Sequence, residues 1–446
     1  HNPQIGFLPP GTSMGSKIGT PFLRGQTWWP YMKEFTTYLA RCSYLLERGQ
    51  SVSDVLWYIG DEISHKPDQE YPFPAGYKYD YCNPDVLLNR LSVKDGLVVT
   101  PEGLSYKFIW IPENKRMLPE TLEKLHALLE QGATVVANAP QRICTLAGGD
   151  ETQGRFDKNV EAIWGKAADG SITTIGKGRL LAGVTIEKAI ELLDLKQDVQ
   201  GDVRWLHRHV KGADWYFITP EKQQAFKGKV SFRAQGAAEL WDPITGEITP
   251  LNVERQGEYA SIELDMPKAG SCFVVFNHNK KQEKVEKVEL ANTQSIDNKW
   301  TVQFPEGWGA PAELEVETLA PWCELPMSKE GQAFSGSATY TTTFNWSNES
   351  KEVVLDLGKV SMIAEVFVND QKVRTLWCTP YAADITSYVK QGENKLQVKV
   401  TSTWFNRLAF DASLPEAERK TWTIEGPKAD AKLKEYGLLG PVNLKF

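Results

Sequence analysis

The stretch Asp54-Val55-Leu56-Trp57-Tyr58-Ile59 is an almost unbroken apolar run, and it decides the fold of the first half of this chain. A strand that is apolar on both sides is typical of a parallel sheet that helices cover on both faces. A second such run at residues 106–111 is followed by helically spaced leucines over residues 119–131 and by a further strand from Thr134. Strand, helix and strand with short connections predict a βαβ unit.

Residues 53–199 as a whole are predicted to form one open α/β domain of the flavodoxin-like kind, which a helix over residues 185–195 completes. Upstream of this domain, Pro30 begins the clearest helix of the chain, residues 30–48, and Gly49 ends it. The apolar residues of that helix recur every three or four positions and form one stripe: Met32, Phe35, Leu39, Cys42 and Leu46.

After Gly201 the apolar residues recur at every second position, which is typical of strands. Residues 200–296 are therefore predicted to be a β-sandwich followed by a charged linker. The alternation returns from about Trp300, and residues 297–446 are predicted to be a β-jelly-roll. The expected architecture is multidomain, with an α/β part followed by all-β parts.

The composition limits the classes of protein to which the chain can belong. Its 446 residues are 41% hydrophobic and 24% charged, which is ordinary for packed globular domains and excludes a disordered chain. The formal net charge is −7 and no block of Lys or Arg stands out, so no nucleic-acid partner is predicted. No apolar run approaches the ~20 residues of a membrane helix, so no membrane partner is predicted either.

The chain begins at His1 rather than at Met, and it does not open with the charged and apolar regions of a signal peptide. We interpret it as the C-terminal part of a larger protein. On this interpretation the N-terminal part of the same protein is one of its partners. The six cysteines show neither a CxxC nor a zinc-ligand spacing, so buried free thiols are expected.

Three strings in the last part of the chain carry a resemblance. They are Leu355-Asp356-Leu357-Gly358-Lys359-Val360, Ala364-Glu365-Val366-Phe367-Val368-Asn369 and Gly392-Glu393-Asn394-Lys395-Leu396. Together they resemble the sugar-binding, galactose-binding-like jelly-roll of family 2 glycoside hydrolases. We expect residues 297–446 to adopt that fold.

A second and more discriminating resemblance covers nearly the whole chain. It is carried by strings that share one order: Gly25-Gln26-Thr27-Trp28-Trp29-Pro30, Tyr38-Leu39-Ala40-Arg41-Cys42, Asp54-Val55-Leu56-Trp57-Tyr58, Gly76-Tyr77-Lys78-Tyr79-Asp80 and Gly437-Leu438-Leu439-Gly440-Pro441-Val442. These strings resemble the α-L-rhamnosidases of glycoside hydrolase family 106.

The resemblance implies an inverting enzyme that cleaves an oligo- or polysaccharide substrate with two glutamates and depends on calcium, with no organic cofactor. It also implies a catalytic (β/α) barrel, of which residues 1–52 would be the C-terminal remnant. The catalytic glutamates are expected to precede His1, and no metal ligand can be assigned. A bacterial periplasmic or secreted location is expected.

Asp61 and Glu62 are the carboxyl candidates for catalysis that the sequence itself suggests. They follow the apolar strand of residues 54–59, and ligand sites of α/β folds lie where strands end. Glycoside cleavage needs an acid on one side of the bond and a base or nucleophile on the other. A solvated loop pair is the alternative interpretation, and a substrate contact demands less of the two residues than catalysis does.

The predicted substrate-binding residues fall into two groups. Arg24 and Gln26 can donate hydrogen bonds to sugar hydroxyls, while the indoles of Trp28 and Trp29 can stack on a sugar ring or hold the loop in place. Since the two tryptophans are adjacent, one is expected in each role.

Tyr77 and Asp80 form the second group. Tyr77 belongs to an aromatic loop that either roofs a sugar pocket or packs on the surface. Asp80, with Asn83 and Asp85, offers oxygen ligands for calcium, but turn formation and helix capping explain the three residues more simply.

Three hypotheses of function follow. The first is the C-terminal part of an α-L-rhamnosidase that acts on plant-type glycans. The second is a carbohydrate-binding or scaffold fragment without chemistry of its own. The third is a glycosidase of different specificity, such as a β-galactosidase, because family 2-type jelly-rolls accompany those enzymes too.

Overall fold

The structure is a computed structural model that describes residues 10–12, 23–62, 73–112, 116–222, 224–286, 290–350 and 352–446. The chain divides into two compact units. The first unit consists of His1–Ala40 and Glu286–Phe446, and the second is Arg41–Val285. Within the described residues, no helix is both long enough and apolar enough to cross a membrane.

The second unit contains a sheet of six strands that is parallel except at one edge. In spatial order its strands are Tyr79–Cys82, Val55–Tyr58, Phe108–Ile111, Thr134–Ala137, Gly178–Leu181 and the antiparallel Ile172–Ile175. Numbered along the chain, the parallel strands follow the order 2-1-3-4-5, which is the order of flavodoxin-like sheets. The βαβ unit predicted at residues 106–136 is present, with Phe108–Ile111 and Thr134–Ala137 parallel around the helix Pro119–Gln131.

Both faces of this parallel sheet are buried, which explains the unbroken apolar run at residues 54–59. Leu56 and Tyr58 face a core that includes Leu122 and Leu125 of the helix Pro119–Gln131. The alternate side chains of the strand belong to a second core. Those side chains, Val55 and Trp57, pack with the helix at residues 186–192.

The remaining elements around this sheet are four helices and two small sheets. The helices are Pro84–Arg90, Pro119–Gln131, Gly149–Trp164 and Ile186–Leu192. The small sheets consist of Ser92–Lys94, Leu97–Val99 and Ser105–Tyr106, and of Arg116–Met117 and Arg142–Ile143. The helix predicted over residues 185–195 is therefore present but shorter, while Gly149–Trp164 was not predicted.

The second unit also contains the β-sandwich expected after residue 200. One sheet has six strands: Gln50–Ser51, Val203–Val210, Ala213–Pro220, Cys272–Asn277, Ala237–Trp241 and Ile248–Pro250. The other sheet has four: Val199–Gln200, Phe226–Phe232, Tyr259–Met266 and Glu254–Gln256. The two sheets share one apolar core that includes Tyr216, Phe232 and Phe276.

The end of the long helix and the residues that follow it are hydrogen-bonded to the sandwich. The helix runs from Met32 to Leu46, after a 3₁₀ turn over Trp29–Tyr31 that holds the predicted Pro30. Its Leu45 carbonyl accepts a hydrogen bond from the indole nitrogen of Trp215 at 3.0 Å. Gln50–Ser51 then joins the six-stranded sheet as an edge strand. The assignment of residues 1–52 to a barrel remnant stays a prediction.

The first unit is built on two antiparallel sheets. The six-stranded sheet consists of Glu313–Val316, Trp300–Gln303, Ser337–Trp346, Gly392–Thr401, Ile363–Val368 and Gln371–Leu376. The four-stranded sheet consists of Thr293–Ser295, Asn443–Lys445, Val354–Asp356 and Ala382–Asp384, and a further pair is Lys359–Val360 with Leu438–Gly440. The short helices are Trp322–Glu324, Lys329–Gln332, Phe405–Ala412 and Glu416–Glu418. One apolar core lies between the sheets, as a jelly-roll requires.

The helix Phe405–Ala412 interrupts the all-β pattern and carries a buried cation. Arg407 is 0% exposed, and its Nη1 donates to Glu330 Oε1 at 2.7 Å. Its Nη2 lies 2.7 Å from Asp411 Oδ1, a charge contact whose angles are not those of a hydrogen bond. The guanidinium also lies over the ring of Trp308, 5.5 Å from its centre. Removal of this cation would leave the buried carboxylate of Asp411 without its positive partner.

We therefore expect Arg407→Leu to lower the free energy of unfolding by about 3–5 kcal/mol, because it strips one partner from a buried ion pair. Urea denaturation followed by tryptophan fluorescence measures the change. Lys359→Met is the matched control, since it removes an exposed ion pair with Glu435 and should change stability little. Equal effects of the two substitutions would contradict the structural role of Arg407.

Candidate functional site

Asp61 lies at the end of the strand Val55–Tyr58, at the point where the order of the parallel strands reverses. Ligands of such sheets bind in the crevice at this point. The Asp61 carboxylate, however, already accepts three hydrogen bonds, from the Tyr58 hydroxyl, from the Leu118 backbone N–H at 2.7 Å and from the Thr121 hydroxyl at 2.7 Å. These contacts fasten the start of the helix Pro119–Gln131 to the strand. They favour a structural role for Asp61.

The neighbouring Glu62 points to a different partner. Its Oε1 accepts a hydrogen bond from Arg116 Nη1 at 2.8 Å, and both side chains are exposed. The two adjacent carboxylates therefore bind different partners, Asp61 binding Thr121 and Glu62 binding Arg116. Their predicted catalytic role stays a prediction.

Tyr77 lies in the loop before the edge strand Tyr79–Cys82, whereas Asp80 lies on that strand. The Tyr77 hydroxyl donates to the Leu195 carbonyl at 2.8 Å. The Asp80 carboxylate accepts from the hydroxyl of the buried Tyr106 at 3.0 Å. Burial and the charge of Asp80 raise the pKa of Tyr106, so this phenol stays protonated.

The residues considered as calcium ligands make structural contacts. Asn83 caps the helix Pro84–Arg90 by accepting from the Val86 N–H at 2.9 Å, while Asp85 accepts from the Asn89 side chain at 2.8 Å within that helix. The capping interpretation is confirmed for Asn83. Across the described ranges, no group of three or more His, Cys, Asp or Glu side chains could hold a metal ion.

Trp28 lines a small aromatic pocket in the first unit. The pocket has a volume of about 280 Å³, and its other walls are Tyr31, Met32, Phe35, Met362, Ile363 and Trp377. Trp377 meets Phe35 edge to face, with ring centres 5.8 Å apart. Pockets for drug-sized ligands have volumes of about 300–1,000 Å³. The size and the aromatic walls suit one sugar ring.

A carboxylate lies behind this pocket. Glu365 Oε2 accepts from the Tyr31 hydroxyl at 2.8 Å, and Oε1 accepts from Lys372 Nζ at 2.8 Å. Burial by itself raises the pKa of Glu365, but the hydrogen bonds from Lys372 and Tyr31 outweigh it and lower the pKa. Glu365 is therefore an ionised carboxylate at neutral pH. It can accept hydrogen bonds or stabilise positive charge, but it is not a proton donor.

The other predicted substrate-binding residues near Trp28 do not line this pocket. Gln26 Nε2 donates to the Thr12 carbonyl at 2.8 Å, and Gln26 lines a shallow cavity of about 430 Å³ beside Trp404. Arg24 is exposed, and Trp29 is half-buried in the 3₁₀ turn. The structure brings Trp28 into a pocket wall and does not bring Arg24, Gln26 or Trp29 to that pocket.

A cluster of histidines around one aspartate lies at the edge of the sandwich core. His207 and His209 share one strand face, as residues two positions apart on a strand do, and both contact Asp214 Oδ1, at 3.0 and 2.7 Å. His278 contacts Asp214 Oδ2 at 2.9 Å. The second ring nitrogen of His207 lies 2.8 Å from Asp198 Oδ2, so this imidazole bridges two carboxylates.

The electrostatics of this cluster favour a protonated His207. Burial by itself lowers the pKa of His207, but the hydrogen bonds to Asp198 and Asp214 outweigh it and raise the pKa. For Asp214, burial raises the pKa, while the hydrogen bonds from His207 and His209 lower it to about 2. A protonated imidazole can donate from both nitrogens, whereas a neutral one donates from a single nitrogen.

Comparison with known families settles the membership of the chain. A family model described as α-L-rhamnosidase, glycoside hydrolase family 106, matches residues 1–255, which is more than half of the 446 residues. The chain belongs to this family. A second model, described as the glycosyl hydrolase 2 galactose-binding domain-like family, matches residues 328–433. The two resemblances predicted from the motifs are confirmed.

Two known proteins are similar to this family 106 chain over nearly its whole length. The solved structure of a rhamnosidase from Novosphingobium sp. PP1Y superposes with a TM-score of 0.87 at 30% identity and covers 97% of this chain and 42% of that one. A curated protein of Formosa agariphila, named "Putative beta-glucuronidase", is 30% identical over 698 aligned positions that cover 98% of this chain and 59% of the relative. The chain spans less than two thirds of either relative.

Sequence reasoning missed two side chains of the aromatic pocket. Glu365 belongs to one of the strings that carry the jelly-roll resemblance, and the sequence suggested no site role for it or for Trp377. Trp377 lies in the pocket wall with Trp28, and Glu365 hydrogen-bonds Tyr31 behind it. Both residues contact side chains that are more than 300 positions earlier in the sequence, and no local pattern indicates such a contact.

The bridging imidazole makes stability depend on pH in a defined direction. Because the pKa of His207 is raised on folding, its stabilisation is fully present below the unfolded value of about 6.5 and is lost as pH rises through the folded pKa. We expect His207→Gln to destabilise the protein by about 1–3 kcal/mol at pH 6, because two buried carboxylates lose a shared donor. The variant should also lose part of the decline in stability between pH 6 and pH 9.

Thermal and urea unfolding across that pH range measure both effects. His126→Gln is the control, because His126 lies 3.5 Å from Glu130 on a helix surface and its loss should leave the pH profile nearly unchanged. A pH profile of His207→Gln identical to that of the unmodified protein would show that folding does not raise the pKa of His207.

Proposed function

We propose that the protein to which these 446 residues belong is an inverting α-L-rhamnosidase that acts on plant-type glycans. Membership of the family over residues 1–255 is the observation that carries this proposal. The similarity to the Novosphingobium rhamnosidase over 97% of the chain supports it. A bacterial periplasmic or secreted location and an oligo- or polysaccharide substrate accompany the proposal.

The two catalytic glutamates are proposed to lie on residues outside this chain, in an N-terminal part that acts as its partner. Inverting glycosidases hold two carboxyls about 6.5–9.5 Å apart so that a water molecule fits between them. Asp61 and Glu62 are instead engaged by Thr121 and Arg116, which argues against such a pair here. The relatives are longer than this chain, which is consistent with further sequence in the whole protein.

Calcium belongs to the proposal only as a property of the whole protein. The residues that the structure describes do not fit a calcium site, since no group of three or more candidate ligands converges. We therefore derive no step through calcium on this chain. Any calcium ligands of the whole protein would come from residues other than the described ones.

For substrate contact, the pocket of Trp28 is the part of this chain that we assign to the sugar. An indole face and the ring of Trp377 offer apolar surfaces that match the C–H face of a deoxy-sugar. Glu365 would hold the Tyr31 hydroxyl in place behind the ring. Trp29, in the adjacent 3₁₀ turn, is assigned to packing.

The test of the activity is hydrolysis of an aryl α-L-rhamnoside by the full protein. We expect turnover, with the anomer of the first-formed sugar inverted in a proton NMR time course. This chain by itself should show no turnover. Release of the retained anomer would overturn the inverting mechanism, and no turnover by the full protein would overturn the activity.

Two further arms of that assay resolve the alternatives. An aryl β-D-glucuronide tests the specificity that the name of the Formosa relative suggests, and preference for it would replace rhamnoside as the substrate. Chelation followed by calcium addition tests metal dependence. We expect chelation to abolish turnover of the full protein and to leave the unfolding temperature of this chain unchanged.

The role of the pocket is tested with Trp28→Ala in the full protein. We expect KM for a rhamnosylated oligosaccharide to rise about two- to tenfold, as for the loss of one aromatic contact. Tyr44→Ala is the control, because Tyr44 is an exposed aromatic residue of the helix Met32–Leu46. Circular dichroism checks the fold of both variants, and an unchanged KM for Trp28→Ala would remove this pocket from the substrate path.

A further inference from the structure

A large cleft in the second unit has no role in the proposed reaction. Its volume is about 740 Å³, and it lies between the segment 73–79 and the sandwich strands Val203–Val210 and Ala213–Pro220. Polar and apolar side chains share its walls. This volume lies within the range of about 300–1,000 Å³ that is typical of ligand-binding pockets.

Lys78 is the unusual residue of this cleft. It is half-buried, and burial lowers the pKa of its ammonium group. Its Nζ lies 4.8 Å from the centre of the Trp205 ring, in a cation–π contact. In the described part of the chain, Lys78 has no hydrogen bond or ion pair with a carboxylate. Glu221 and Asp198 act on the ammonium group only through space, and they raise its pKa less than burial lowers it. The remaining electrostatic cost is one that an anionic ligand in direct contact would offset.

The backbone holds Lys78 firmly in place. Its carbonyl accepts from the N–H groups of Asp54 and Val55, at 3.0 and 3.2 Å. Two residues earlier, Gly76 has a φ of +85°, and a Cβ there would lie 2.6 Å from the Val199 carbonyl oxygen. The Gly76 carbonyl in turn accepts from the Asp198 N–H at 2.8 Å. The ammonium group is therefore presented on a pre-organised segment, which reduces the entropy cost of binding.

Aromatic rings surround this cation. Tyr77, Tyr79 and Phe217 line the cleft with Trp205. The Tyr77 hydroxyl is already engaged by the Leu195 carbonyl, so Tyr77 offers its ring. Sugar rings bind to such surfaces through their C–H faces, while their hydroxyls need polar partners at the edge.

The rim of the cleft supplies those polar partners and limits the charge of the ligand. Arg204 and Glu221 both line the cleft, with Arg204 Nε 3.5 Å from Glu221 Oε1. Asp202 lies on the same rim. Two carboxylates beside one guanidinium repel a polyanion such as a phosphorylated ligand or a nucleic acid. A ligand with one carboxylate and several hydroxyls fits this distribution.

We propose that this cleft binds an acidic saccharide, a hexuronate residue whose carboxylate pairs with Lys78 and whose ring stacks on the aromatic walls. Arg204 and Glu221 would bind its hydroxyls. The proposal does not depend on the proposed reaction, because binding rather than turnover is measured.

The experiment is isothermal titration of the full protein with D-galacturonic acid, D-galactose and acetate at pH 7. D-galactose carries a hydroxymethyl group where the acid carries a carboxylate, and acetate carries a carboxylate without a ring. We expect the acid to bind about tenfold more tightly than D-galactose, as one charged hydrogen bond predicts, and more tightly than acetate. Equal affinity for the two sugars, or no binding of either, would overturn the proposal.

Variants of Lys78 connect that preference to the cleft. Lys78→Met keeps the apolar stem and should reduce the affinity for the acid to that for D-galactose, while Lys78→Arg should retain the preference. Lys211→Met, at an exposed hairpin end, is the control and should bind like the unmodified protein. Unfolding temperatures verify that each variant is folded. An unchanged preference in Lys78→Met would place the acid elsewhere, and acetate binding as tightly as the sugar acid would exclude the stacking of the ring.

Discussion

The second unit depends on a row of buried charges that joins its parallel sheet to its sandwich. Arg233 Nη2 donates to Asp54 Oδ1 at 3.1 Å and lies 3.9 Å from Asp198 Oδ1. One ring nitrogen of His207 contacts Asp198, and the other contacts Asp214. Since a buried charge is tolerated only beside a partner, each member requires the next one. This row of contacts therefore holds the sandwich and the parallel sheet together within the second unit.

The pKa values at the two ends of this row shift in opposite senses, although burial raises both. At Asp54 burial outweighs the effect of Arg233 and the pKa is raised, whereas the histidines around Asp214 lower its pKa to about 2. The charge of Asp54 is therefore weakly compensated and the charge of Asp214 strongly. Asp214 lies on the strand Ala213–Pro220 of the six-stranded sandwich sheet. Local stability in this unit is thus linked to the ionisation of His207.

In the first unit, the described residues 23–40 of the N-terminal segment pack on the jelly-roll. Trp28, Tyr31 and Phe35 reach the jelly-roll strands through Trp377 and through the hydrogen bond from Tyr31 to Glu365. The same aromatic side chains that anchor the segment also leave a cavity of about 280 Å³. Anchoring and sugar contact are compatible here because both need flat apolar rings.

How far the sequence predicts this structure depends on the range of each interaction. The buried parallel strands were predictable, because side chains covered on both faces produce an unbroken apolar run such as residues 54–59. The helix Gly149–Trp164 was not, because it buries few apolar residues and is otherwise polar. The edge strand Tyr79–Cys82 was mistaken for a loop, since a strand at a sheet edge keeps polar positions.

The candidate sites divide in the same way, into local contacts that the sequence predicts and long-range contacts that it does not. The shared face of His207 and His209 follows from a two-residue period, so it could be predicted. Asp214 and His278 join them only through strand register, which a single sequence does not reveal. The capping role of Asn83 was predictable because a cap is a local contact. Lys78 carried no signal, because its half-burial and its contact with Trp205 arise from residues more than 100 positions away.

The order of segments in the first unit has a consequence for synthesis on the ribosome. This unit combines His1–Ala40 with Glu286–Phe446, whereas the second unit is one continuous segment between them. The strand Asn443–Lys445 lies inside its sheet, between Thr293–Ser295 and Val354–Asp356. The inserted unit can therefore fold while translation continues, but the first unit can be completed only once the strand Asn443–Lys445 has left the ribosome. A premature stop before this strand would remove an internal strand of the sheet, which makes such a product a substrate for quality-control proteases.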